Sequence, residues 1–335
     1  MKEYEDYSLL KHNTFGIDAR CRRFVEFSSV EEACEVARTL SEPFLIVGGG
    51  SNLLLTRDYE GTVVHSAVKG FEPSATDNGE VLVTVGSGEI WDDVVARFVA
   101  NGWHGAENLS LIPGDVGASA VQNIGAYGVE VCSLIEKVEA VRIGDGQLMT
   151  FSAADCQYGY RQSRFKGEWK NRYLITHVTY RLSTTFTPHL DYGNIRAELQ
   201  RQGIEVPTAD ELRKVIIGIR REKLPDPEVE GNAGSFFMNP VVAREQFEAL
   251  QAVYPDMPHY FVDERHEKIP AGWMIDRCGW KGRTMGRAGV HDRQALVLVN
   301  RGGATGQEVV NLCEAIRKDV RERFGIDIHP EVNII

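Results

Sequence analysis

Apolar residues recur at helical spacing behind recognisable start signals in several parts of the chain. Ser29 and Glu32 offer a capping box, in which a hydroxyl and a carboxylate three residues apart satisfy each other's backbone N–H groups. Val30, Ala33, Ala37 and Leu40 follow on one face. Thr208 and Glu211 repeat the device before Leu212, Val215, Ile216 and Ile219. The best-marked helix starts at Thr305 and Glu308, carries Val309, Leu312, Cys313, Ile316, Val320 and Phe324 inward, and stops at Gly325. A further helix carries Ile90, Val94, Val95 and Phe98 and ends near Gly102.

Between these lie short apolar runs of strand character: Phe44 to Val47, Val81 to Val85, Val138 to Ile143, Tyr173 to Tyr180 and Ala295 to Val299. Asp145 and Gly146, between Ile143 and Leu148, form a hairpin turn signal. The order of elements predicts an α+β fold without the regular alternation of a doubly wound sheet. Two polar breaks, around Lys69 to Gly79 and around Lys223 to Gly234, divide the chain into three units.

Composition narrows the function classes. The 335 residues include 43% hydrophobic and 25% charged side chains, a globular rather than a disordered or fibrous balance. Lys and Arg number 37 against 48 Asp and Glu, a net charge of −11, which argues against a nucleic-acid surface but leaves room for a local anion site. No apolar stretch reaches the roughly 20 residues of a membrane span, and the acidic N-terminus lacks a secretory pattern. The six cysteines are dispersed, without ligand spacing, so they read as reduced thiols in a cytoplasmic protein, and no metal site is expected. The histidines, among them His259, His266 and His291, read as structural.

Two glycine-rich segments carry candidate chemistry. Gly48, Gly49, Gly50, Ser51 and Asn52 directly follow the strand Phe44 to Val47. Such a turn is either a tight strand connection or a cradle presenting backbone N–H groups to a pyrophosphate. It lacks the third glycine of the dinucleotide fingerprint of doubly wound folds. The second segment, Ile112 to Gly128, is a long run of small, almost uncharged residues that lets backbone approach a ligand closely. Two such segments in one half of a chain favour an extended cofactor with a pyrophosphate.

A family resemblance gathers these features. Asn13 to Gly16, Val47 to Asn52, Ile112 to Gly114, Asn123 to Gly128, Tyr158 to Arg161, Gly231 to Phe237 with Asn239 and Pro240, Ala271 to Asp276, and Pro330 with Glu331 occur in one order across nearly the whole chain. Together they resemble the UDP-N-acetylenolpyruvoylglucosamine reductases, flavoenzymes that complete UDP-N-acetylmuramic acid in bacterial peptidoglycan synthesis. The resemblance implies a two-part FAD-binding module of the vanillyl-alcohol-oxidase (PCMH) type plus a C-terminal α+β substrate-binding domain. Residues 1–70 would form the first FAD-binding part, with the tail 326–335 returning to it. Residues 71–218 would form the second part, with a lid loop near 187–196 characteristic of the longer form, and 219–325 the substrate-binding domain.

The resemblance also implies the site. FAD, held non-covalently, would contact Gly48, Gly49, Gly50, Ser51, Asn52, Pro113, Gly114, Gly117, Ala118, Asn123, Ile124, Gly125, Ala126, Tyr127, Gly128 and Arg161. NADPH would supply hydride, which passes to C3 of the enolpyruvyl group. Ser235 would deliver a proton to C2, Arg161 would stabilise the developing enolate, and Glu331 would assist the proton donor. Tyr192, Lys223, Asn239 and Gln294 would bind the UDP portion. One departure is Met238, where related sequences often carry Lys, which removes a cation expected near the nucleotide phosphates. The resemblance implies a monomer with the UDP-sugar enolpyruvyl ether and NADPH as its partners. An FAD oxidase on the same module, or a non-catalytic UDP-sugar-binding protein, are the alternatives.

Overall fold

Val25, Phe27, Val47, Val63 and Val64 are β-branched or aromatic and buried, and the strand carrying both Val63 and Val64 is covered on both faces, as a central parallel strand requires. In the computed structural model, which describes residues 1–76 and 78–335, Tyr59–Ser66 lies between Arg20–Phe27 and Phe44–Val47 and runs parallel to both. Lys2–Ser8 extends this four-stranded sheet beyond Arg20–Phe27. The helix Val30–Thr39 supplies the crossover. Its start differs from the sequence expectation: Ser29 Oγ accepts the Glu32 N–H, but the Glu32 carboxylate takes the N–H and hydroxyl of Ser28 instead of closing the box. Two donors on one residue, together with the nearby N-terminal ammonium, outcompete the single Ser29 N–H.

A second sheet is wholly antiparallel, in the order Leu148–Ser152, Ile135–Arg142, Tyr173–Ser183, Glu80–Gly86, Phe71–Ala75. Asp145 and Gly146 make its first hairpin, as their turn chemistry predicts. Phe71–Ala75 corrects the reading of Lys69 to Gly79 as a break: it is an edge strand, where Pro73 costs no inner ladder bond. Asp77 of that stretch lies outside the described residues. The helices Trp91–Ala100 and Val116–Gln122 bury Trp91, Val94, Val95, Phe98 and Ala120 with Val83, Val85, Val178 and Tyr180 of the sheet. A third cluster joins Ile195 and Leu199 to Leu212, Val215, Ile216 and Ile219 of the helix Ala209–Lys223, where Thr208 and Glu211 do form reciprocal capping bonds. These elements make one compact unit of residues 1–7, 21–49 and 59–222.

The other unit comprises residues 8–20, 50–58 and 223–335. It contains two three-stranded antiparallel sheets, Val241–Ala243 with His266–Lys268 and Tyr260–Asp263, and Thr284–Met285 with Ala288–Val290 and Leu298–Asn300. The last strand is shorter than the run Ala295 to Val299, because Val297 N–H closes a turn on Gln294 O. The long helix Gly306–Phe324 opens on a complete capping box of Thr305 and Glu308 and ends at Gly325 in the left-handed conformation. Replacing Thr305 by Ala should cost about 1 kcal/mol locally. Amide exchange at Glu308 and Val309 should quicken accordingly, and unchanged exchange would count against the box. Asn333–Ile334 pairs in parallel with Leu53–Leu54.

Candidate active site

The two glycine segments meet in the first unit. A β-carbon on Gly49 would lie 3.1 Å from Gly114 Cα, and one on Gly48 would lie 3.0 Å from Ala118 Cβ. A β-carbon on Gly117 would press within 2.9 Å of Ser87 Cβ. These glycines are therefore required for the approach itself. Gly48, Gly49, Gly114, Ala118, Ile124, Gly125 and Ala126 are half-buried, Gly117 is buried and Pro113 is exposed. The run of small residues is part helix, Val116–Gln122, rather than loop throughout: Ser119 Oγ reaches Tyr180 Oη at 3.1 Å and pins it to the sheet.

Asn123 ends that helix in a left-handed conformation and is fully buried. Its side chain ties three segments together, donating to Gly159 O (2.8 Å) and Glu130 Oε2 (3.0 Å) and accepting from Cys132 N (3.1 Å). Tyr127 and Arg161 also have positive φ, at 50° and 54°. Such conformations in non-glycine residues cost of the order of 1 kcal/mol each and persist where surrounding structure over-determines them, as at functional sites. Arg161 Nη2 donates to Gly125 O at 2.6 Å and Nη1 to Asn123 O at 3.4 Å, which fixes the guanidinium on this segment.

Two residues invisible to sequence reasoning complete this half. Asn108, buried, donates to both Tyr127 O and His189 O at 2.9 Å, fastening the segment that bears Tyr192 to the Tyr127 turn. Tyr192 is 38% exposed and packs beside Gly128. Arg220, in the helix Ala209–Lys223, donates to Leu111 O at 3.3 Å and faces Tyr127. Burial pulls the Arg220 pKa below its ordinary value and pushes that of Tyr127 up, Arg220 partly offsetting the latter. Neither lies in a motif; their places beside the Tyr127 turn reveal them.

The second unit gathers the remaining candidates. Gly234 turns at φ 67°, its N–H held by Asn232 Oδ1 at 2.9 Å, and presents Ser235 exposed. Phe236 donates its N–H to Leu296 O (2.7 Å) and accepts from Glu331 N–H (2.8 Å), so Ser235 and Glu331 stand on adjacent backbone. Asn52 donates to Glu331 O at 3.4 Å and its own carbonyl accepts from Asn333 N–H at 3.1 Å. Gly50, Ser51, Asn52, Ser235 and Glu331 thus belong to one unit, and Gly50 O accepts from Thr14 N–H. Asn239 accepts the Ala271 N–H on its side-chain oxygen at 2.9 Å. Gln294 turns its side-chain oxygen to Leu296 N–H at 3.3 Å. Lys223 ends the helix Ala209–Lys223, half-buried, and Met238 is tied through its N–H to His329 O.

Two family models match the chain: an FAD binding domain over residues 25–152, and the C-terminal domain of UDP-N-acetylenolpyruvoylglucosamine reductase over residues 226–335. The UDP-N-acetylenolpyruvoylglucosamine reductase of Bacteroides fragilis is 56% identical over 334 residues, covering 99% of each chain. The chain belongs to the UDP-N-acetylenolpyruvoylglucosamine reductase family. The Pseudomonas aeruginosa reductase is 48% identical over 333 residues, 98% of each chain. The solved structure of the family's member from Thermus caldophilus superposes with a TM-score of 0.67 at 21% identity, covering 99% of this chain and 98% of that one. The reductase fold is accordingly α+β, an FAD-binding domain of the PCMH type followed by the family's own C-terminal domain.

Two of the histidines named above sit in polar pairs: His259 with Glu267 at 3.1 Å and His266 with Asp263 at 2.9 Å. His291 is buried, which lowers its pKa. Among the described residues no three His, Cys, Asp or Glu side chains gather as a metal-binding group.

Proposed function

We propose that the chain reduces the enolpyruvyl group of UDP-N-acetylenolpyruvoylglucosamine to the lactyl ether of UDP-N-acetylmuramate, an NADPH-dependent step of peptidoglycan precursor synthesis. The full-length identity of 56% to a reductase of that name carries this reading. The enzyme is a UDP-N-acetylmuramate dehydrogenase, an oxidoreductase, and the family membership supports its working as a cytoplasmic monomer.

The residues present fit FAD. The glycines that touch across the two segments leave main chain and small side chains at the surface, suited to a pyrophosphate held by N–H groups without a covalent link. Gly48 to Asn52 and Pro113, Gly114, Gly117 and Ala118 would hold the pyrophosphate end, and Asn123 to Gly128 with Arg161 the ring. When bound, FAD accepts hydride from NADPH and passes it to C3 of the substrate. Functionally the chain divides into parts 1–70, 71–218 and 219–325, with 326–335 returning to the first.

Hydride arrival at the methylene carbon C3 breaks the C=C π bond and leaves an electron pair on C2, delocalised onto the carboxylate as an enolate dianion. Arg161 supplies a fixed, always charged, planar donor array for those oxygens. Ser235 Oγ–H then gives its proton to C2, forming the C–H bond of the lactyl ether. Glu331, on the backbone beside it, orients the hydroxyl and takes part in restoring its proton. A serine is a weak acid, and toward a carbon base this strong placement matters more than acidity. Lys223, the Asn239 amide nitrogen and Gln294 bind the UDP phosphates and sugar, and Tyr192 closes over them.

An anaerobic absorption experiment tests the whole assignment. NADPH should bleach the bound flavin, and UDP-N-acetylenolpyruvoylglucosamine should restore the oxidised spectrum. Recovery with oxygen alone would favour an oxidase instead. Replacing Arg161 by Ala should slow the restoring step about a hundredfold or more while leaving bleaching much less affected, because enolate stabilisation enters only there. An unchanged restoring rate would remove Arg161 from that role.

A further inference from the structure

A half-buried histidine lies directly behind the two glycine segments. His65 occupies the central strand Tyr59–Ser66, with Glu26 and Val47 as its register partners on either side, and Val47 leads straight into Gly48. Its Nδ1 is 3.1 Å from Glu26 Oε2 and its Nε2 is 3.5 Å from Asp115 Oδ2. Asp115 in turn sits under the first glycine turn: β-carbons built on Gly48 and Gly49 would lie 3.4 Å and 3.3 Å from its carboxylate oxygens. Also facing this cluster are Lys2, whose Nζ is 2.7 Å from Glu26 Oε1, and the uncharged ring of Phe24, 6.3 Å from the imidazole.

A neutral imidazole carries one N–H and can donate to only one of two carboxylates, whereas an imidazolium donates to both. With His65 protonated, Lys2 and His65 balance Glu26 and Asp115. With His65 neutral, one negative charge is left over beside the turn. Burial disfavours the imidazolium, but Asp115 and then Glu26 outweigh it and hold the pKa above its ordinary value.

We propose that His65 is a positioning residue that neutralises Asp115 beneath the Gly48–Gly49 turn, and that its protonation is coupled to FAD binding. The inference rests on the reading that these turns receive the FAD pyrophosphate. A dianionic diphosphate near Asp115 favours the imidazolium further, so affinity is highest where His65 is charged and declines as pH rises through its pKa. By the same sign, His65 contributes stability that is fully present below its unfolded pKa and lost above the raised folded one.

The test is FAD release from the loaded full-length protein, followed by flavin fluorescence on dilution between about pH 6 and about pH 9. The dissociation constant should rise about tenfold over this range. His65→Gln should bind about tenfold more weakly at the acid end and show a flat profile, and adding Asp115→Asn should restore the affinity. Asp115→Asn alone should flatten the wild-type profile at high affinity, which keeps the test decisive should His65→Gln fail to fold. A flat wild-type profile, or a pH dependence unchanged in Asp115→Asn, would overturn the coupling while leaving the flavin assignment intact. A wild-type protein that holds no FAD at any pH would overturn the flavin assignment itself.

Discussion

Ser235→Ala should leave the bleaching of bound flavin by NADPH intact and slow its reoxidation by the sugar nucleotide by roughly a hundredfold to ten-thousandfold. The two half-reactions separate because only the second contains a carbanion to be protonated. Ser235 is exposed, at the end of a turn set by Asn232 and Gly234. Removing one oxygen there should not disturb Phe236, whose backbone is held on both sides by Leu296 and Glu331. Stopped-flow absorbance under nitrogen reads both steps in one instrument. Equal slowing of the two would mean that Ser235 shapes the site rather than donating a proton.

The second large effect is expected at Gly50. Its φ of 66° is a left-handed conformation, and an added β-carbon would lie 2.0 Å from His12 O and 2.8 Å from Asn13 Cα. Those are backbone atoms in a segment fastened by Asn13, whose side chain bonds Leu9 O, Ile17 O and Ile17 N–H. Nothing flexible can yield. Gly50→Ala should therefore unseat the bond from Thr14 N–H to Gly50 O and displace Ser51 and Asn52, with a loss of about 3 kcal/mol or more. The measurements are a melting curve and the flavin content of the purified protein. Gly218→Ala is the control: Gly218 lies exposed in a helix with nothing within 4 Å of a new β-carbon. It should melt slightly higher, since Ala is the better helix former by about 1 kcal/mol. A Gly50→Ala protein that melts with the wild type and keeps its flavin would refute the steric argument.

Features encoded over a few neighbouring residues are legible in the chain itself. Thr305 with Glu308, Gly325, and the Asp145–Gly146 turn each act locally, and the fold uses all of them. Features that depend on partners distant in sequence are not legible in this way. The helix Val116–Gln122 looks like loop because glycine and alanine give no amphipathic pattern; contacts to Ser87 and Tyr180 make it a helix. Phe71–Ala75 has the composition of a linker, and only its place at a sheet edge makes Pro73 acceptable in a strand. Of the candidate site, the ordered motifs carry the residues proposed to touch ligand. Asn108, Arg220 and His65 are single polar residues whose roles arise from their contacts beside those motifs, and no spacing announces them.

The pairing of Leu53–Leu54 with Asn333–Ile334 bears on how the chain is made. Asn52 and Glu331 meet across 279 positions of sequence, as do Thr56 and Ile335. Contacts so remote raise the contact order and slow folding. At roughly 5–20 residues per second, ribosomes need tens of seconds to reach the partner of the Asn52 turn. This strand pair can therefore close only once Asn333 and Ile334 have left the ribosome, and until then the apolar Leu53–Leu54 segment is a natural target for a chaperone.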